Sequence, residues 1–122
     1  MLNPEKKSET KLEIINFTDQ EKEIIELIKK FGLEDTRVKK IFIQWVDESE
    51  KEAEKEKNFT LALIMFLRQL AYLYLAAGLG EKFEVAFNDV MEYAWQMKFD
   101  NVYNLLNEEF EEIKSKGLIY KN

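Results

Sequence analysis

The sequence predicts an all-α protein, a compact bundle or short helical-hairpin array of about five helices. Three observations carry that expectation. Gly32, Gly78 and Gly117 each close a stretch of helical periodicity and are followed at once by leucine. Such glycines end helices in a left-handed conformation, with the next apolar residue folded back on the last turn. Each long segment between these stops carries apolar residues at the three-to-four-residue spacing of a buried helix face. The composition, 46% hydrophobic and 34% charged, is that of amphipathic helices and too apolar for a disordered chain.

Residues 1–11 are polar, contain Pro4 and show no periodicity, so they read as a mobile N-terminal arm preceding a single all-α domain over 12–122. Leu12, Ile14, Ile15 and Phe17 form an apolar stretch too brief for a helix, expected to lie extended against the bundle. Thr18 followed by Glu21 is a capping box that opens the first helix. Ile24, Ile25, Leu27, Ile28 and Phe31 give that helix its inward face up to Gly32, and Ile28 to Leu33 has the fold-back spacing. Asp35 or Thr36 caps the second helix, with Val38, Ile41, Phe42, Trp45 and Val46 pointing inward. From Asp47 to Lys57 the one apolar residue is Ala53. Glu48–Lys51, Glu52–Lys55 and Glu54–Lys57 are spaced as exposed ion pairs. Ser49 and Ala53 continue the inward stripe and admit a close neighbour.

The third helix, from about Thr60 to Ala77, is apolar in nearly every direction, so it is surrounded by protein or by lipid. Arg68 and Gln69 fall at its midpoint, where a charge costs about 3 kcal/mol in a bilayer. The expectation is a central buried helix and no membrane. Arg68 itself reads as the anchor of a rim or partly buried ion pair, with Glu48, Glu84 or Asp89 as partner. Phe83, Ala86, Phe87, Val90, Ala94 and Met97 mark the fourth helix, and Tyr93 and Trp95 widen its apolar face. The fifth starts near Asp100, a good cap, and buries Val102, Leu105, Leu106, Phe110 and Ile113 before Gly117. Short connections between consecutive helices predict antiparallel neighbours in a right-handed or up-down array.

Cysteine and histidine are both absent. That removes thiolate nucleophiles and metal sites, the Ser-His and Cys-His pairings and the usual zinc and haem ligand, so neither an enzyme nor a cofactor is expected. A net charge of −6, with Arg37 and Arg68 the only arginines, excludes nucleic acid as the expected partner. The polar start, without the apolar core of a secretion signal, points to the cytoplasm. Carboxylates are the one plentiful reactive group. Asp89 and Glu92, or Glu108, Glu109, Glu111 and Glu112, leave open an alternative as a divalent-metal nucleotide hydrolase. That chemistry needs acids aimed inward from two helices, whereas these lie on polar faces. The sixteen aromatic residues leave open a second alternative, a pocket for a small apolar ligand.

The favoured reading is a non-catalytic interaction or regulatory module that binds a protein partner or associates with itself. Its expected surface is an aromatic patch made of Met91, Trp95 and Tyr103 with the tail residues Leu118, Ile119 and Tyr120. The fourth helix is apolar over more of its circumference than one core needs, and the tail is apolar for a terminus.

Leu67, Leu70-Ala71, Tyr74 and Gly78 also resemble the first helix of a tetratricopeptide unit, and Ala86, Val90 and Tyr93 match the second after a three-residue slip. Phe83 stands where that family has a small residue, and the closing proline is missing. The resemblance spans about thirty residues, one unit. It implies a helical scaffold that binds a peptide or protein partner.

Overall fold

Thr18 and Glu21 cap one another at the start of the first helix, as their spacing predicts. The Glu21 amide donates to the Thr18 hydroxyl at 3.1 Å, and the Thr18 amide donates to the Glu21 carboxylate at 2.9 Å. The structure, a computed structural model, describes residues 15–116. The N-terminal arm, Leu12, Ile14, Gly117 and the tail residues Leu118, Ile119 and Tyr120 lie outside the described residues.

Among the described residues five helices follow one another: α1 (Asp19–Phe31), α2 (Thr36–Glu54), α3 (Phe59–Ala76), α4 (Gly80–Gln96) and α5 (Asp100–Ser115). The fold is all-α, and no strand occurs among the described residues. Asp35 caps α2 by accepting from the amides of Arg37 and Val38. Asn58 caps α3 through the Leu61 amide at 3.0 Å.

The next two joints share one geometry. At the end of α3 the Leu79 amide reaches back to the Tyr74 carbonyl at 2.9 Å and the Gly78 amide to Leu75 at 3.0 Å. At the end of α4 the Phe99 amide reaches Ala94 at 2.9 Å and the Lys98 amide Trp95 at 3.0 Å. This pair of bonds is the Schellman arrangement, and it satisfies carbonyls that the helix end leaves free. Leu79 and Phe99 then serve as the backbone caps of α4 and α5. Asp100 is thus the first residue inside α5 and not its cap, because the preceding turn already delivers Phe99 to that position.

Helices adjacent in sequence are adjacent in space: α1 packs on α2, α2 on α3, α3 on α4 and α4 on α5, and α1 also touches α3. The array has two cores with α3 as their common wall. On one side Ile64, Ala71 and Tyr72 meet Phe83, Phe87, Val90 and Ala94 of α4 and Leu106, Phe110 and Ile113 of α5. On the other, Leu73 and Ala77 meet Ile24, Ile25 and Ile28 of α1 and Val38 and Trp45 of α2. Residues 15–17 lie across α3 without regular structure. Ile15 is buried in the first core, Phe17 packs against both, and the Asn16 carbonyl accepts from Gln69 at 2.8 Å. By length and composition α3 is able to cross a membrane; two of its faces enter the cores, but only 22% of it is buried and Phe59 and Met65 are exposed, so it is not the wholly buried helix that its apolar circumference predicts.

Three apolar residues expected inside are outside. Phe31 is exposed, with Lys30 and the Arg37 guanidinium over its ring. Met97 is exposed because it is the cap just past the last residue of α4. Leu105 is 65% exposed, since α5 turns Leu106, Phe110 and Ile113 to the core and Leu105 away from it. In the charged half of α2, Glu52–Lys55 forms at 3.2 Å, whereas Glu48 accepts instead from Gln44 at 3.1 Å. Ala53 is buried, as its place on the stripe predicts.

Candidate functional site

Arg68 is held by Glu109 of α5, not by Glu48, Glu84 or Asp89. Its Nε and Nη2 donate to the two carboxylate oxygens at 3.0 and 2.6 Å, a bidentate pair that is mostly shielded from solvent. The guanidinium lies 5.0 Å from the centre of the Tyr72 ring. Bonding to Glu109 raises the affinity of Arg68 for its proton, against the opposing effect of burial. Burial, reinforced by the Glu109 charge, pushes the Tyr72 phenol far above its ordinary range. Tyr72 in turn joins Phe83, Phe87 and Phe110 in a cluster of tilted, edge-on and stacked rings 5.3–6.1 Å apart. Arg68 therefore ties α3 to α5 across the top of an aromatic core.

A second polar cluster went unread in the sequence. Glu21 is 7% exposed. One oxygen accepts from the Thr18 amide and from Gln69 at 3.1 Å, and the other from the Trp45 indole at 3.1 Å. The capping box was visible in sequence, but its acid reaching α2 and α3 was not. Among the described residues no buried side-chain nitrogen or oxygen lacks a partner, so neither cluster leaves a polar atom free for a ligand.

The outer side of α4 carries a groove on each flank. Met91, Trp95 and Tyr103 converge on one of them. With Asn88 and Glu92 they line a concavity of about 340 Å³ between α4 and α5. Met91 is buried at its base, Tyr103 is half-buried, and Trp95 is 62% exposed. The other groove, of about 450 Å³, runs between α3 and α4. Leu67, Leu70 and Tyr74 form one wall and Val85, Ala86 and Val90 the other, with Glu81, Lys82 and Asp89 on the α4 bank. A wider hollow of about 710 Å³ lies between the end of α2 and the start of α3, from Ser49 and Ala53 to Met65 and Phe66.

Asp89 and Glu92, three residues apart, open onto different grooves. Glu109 is committed to Arg68. Among the described residues no three acidic side chains stand together as a metal site would require.

No protein-family model matches the chain, and neither does any curated protein or solved structure.

Proposed function

We propose that this chain is a non-catalytic helical interaction module that associates with a second copy of itself through the α4–α5 side. One observation carries the reading: Trp95 stands 62% exposed beside Met91 and Tyr103 in a shared concavity. An indole in water forfeits the large stabilisation that burying its ring gives, and tryptophan and tyrosine concentrate at the centres of protein interfaces. The helical-hairpin arrangement of α3 and α4 is in keeping with the scaffold role that the tetratricopeptide resemblance implies, and the acidic surface with a protein partner in preference to nucleic acid.

Light scattering on the full chain between about 10 and 500 µM tests this, a range that covers weak and transient association. The expected result is a mass that rises with concentration, together with a Trp95→Ala variant that keeps its melting temperature and stays monomeric. A wild-type chain that remains a monomer throughout, or a Trp95→Ala variant that associates equally well, overturns it.

A further inference from the structure

The α3–α4 groove is separate from the Trp95 concavity, and its chemistry differs. Its floor is apolar, with Leu67, Leu70 and Tyr74 of α3 facing Val85, Ala86 and Val90 of α4. The α3 residues stand at i, i+3 and i+7, a stripe along one helix face, so the trough between two neighbouring helices has the form that receives a third. Val85 is 64% exposed at its edge. Glu81 and Asp89 stand on the same bank, eight residues or about 12 Å apart along the axis. Among the described residues no ion pair engages either of them, nor Glu84 or Glu92, and Lys82, which shares that bank, is the one base of α4.

We propose that this groove takes an amphipathic helix of another protein, one whose apolar stripe is flanked on one side by lysine or arginine about two turns apart. The apolar stripe covers Leu70, Tyr74 and Val85. The flanking bases meet Glu81 and Asp89, which would otherwise face a partner's acids with an uncompensated charge. The proposal rests on reading the chain as an interaction module, but not on its self-association.

Two synthetic peptides provide the test. Both are sixteen-residue amphipathic helices with leucines at i, i+3, i+4 and i+7; one carries lysines on its flank and the other glutamates at the same positions. Each is labelled and titrated with the full chain by fluorescence anisotropy. The lysine peptide is expected to bind at least ten times more tightly and to weaken as salt rises. Asp89→Lys should reduce that affinity several-fold, and Val85→Glu should abolish it, while both variants keep the wild-type circular dichroism. Trp95→Ala should leave the peptide affinity unchanged. Equal binding of the two peptides, no binding of either at 500 µM, or lysine-peptide affinity indifferent to Val85→Glu and Asp89→Lys overturns the proposal. A chain that is monomeric yet binds the lysine peptide overturns self-association alone. Loss of peptide binding in Trp95→Ala places the occupant in the other groove and overturns this one.

Discussion

Gly78 and Lys98 hold the same position in two helix ends twenty residues apart, each the first residue past its cap and each with positive φ, at 85° and 65°. The hydrogen bonds around them match, the flanking caps Ala77 and Met97 have nearly the same backbone angles, and only the side chain differs. A side chain in the left-handed region costs roughly 1–2 kcal/mol, which glycine avoids. Lys98→Gly is therefore expected to stabilise the fold by about 0.5–1 kcal/mol, the gain being reduced by the freedom glycine adds to the unfolded chain. A thermal melt that stays level or falls would contradict this.

Gly32 is a stop of a different kind. Its φ of 90° and ψ of 154° lie outside the left-handed helical region and in one where glycine alone is at ease, and no atom lies within 4 Å of where a Cβ would stand. Gly32→Ala thus meets no clash, and its cost is backbone strain of about 1–3 kcal/mol. Gly78→Ala, also unobstructed, should cost about 1 kcal/mol. Denaturant melts in which Gly78→Ala proves the more damaging would reverse this ranking.

These ends show where the sequence was legible. Gly32 and Gly78 announce their helix ends because glycine is the residue that positive φ selects, and Thr18 with Glu21 announces a start because the capping box is local. Lys98 ends α4 with no signal, since nothing about a lysine marks left-handed backbone. Asp100 misled for a related reason: a good capping side chain is redundant where the preceding turn has already placed Phe99. The partner of Arg68 was illegible because Glu109 lies on α5, and which helix crosses beside α3 is a matter of tertiary packing. The apolar width that singles out Met91 and Trp95 is a property of α4 alone, whereas the approach of Tyr103 depends on how α5 packs beside it.

Removing the acceptor at position 21 should be costly. Glu21→Ala strips hydrogen bonds from the Thr18 amide, the Trp45 indole and Gln69 at once. A buried donor left without a partner costs about 1–3 kcal/mol, so destabilisation at or above the upper end of that range is expected from denaturant titration. Glu21→Gln keeps an acceptor and should recover part of it. Equal stability of Glu21→Ala and wild type would show that water replaces the carboxylate.

Arg68 and Glu109 should behave as a coupled pair. Arg68→Met leaves a largely shielded carboxylate alone, and Glu109→Met leaves the guanidinium alone. Each single change should cost about 1–3 kcal/mol, while the double change should cost less than the sum of the two and approach neutrality. An additive double-mutant cycle would count against the pairing.

The phenols of Tyr72 and Tyr74 are both raised by burial, from an ordinary value of 10.0. A neutral group whose folded value lies above its unfolded value contributes stability that is complete below the unfolded value and is lost as pH rises through the folded one. Stability should therefore hold up to about pH 10 and decline above it. Absorbance at 295 nm should show these two tyrosines ionising above pH 10 or together with unfolding. Full ionisation of every tyrosine near pH 10 with the circular dichroism intact would refute this.

Because α3 forms a wall of both cores, and Phe17 touches both as well, neither half of the array is a folding unit by itself. A chain cut in the Ala77–Leu79 joint would leave Ile64, Ala71 and Tyr72 facing water on one fragment and Phe83, Phe87 and Phe110 on the other. Loss of the α1–α2 hairpin would bare Leu73 and Ala77 in the same way. Unfolding is then a single cooperative event, and the amides of α3, released only when everything else has let go, set the slow limit of hydrogen exchange for the whole molecule.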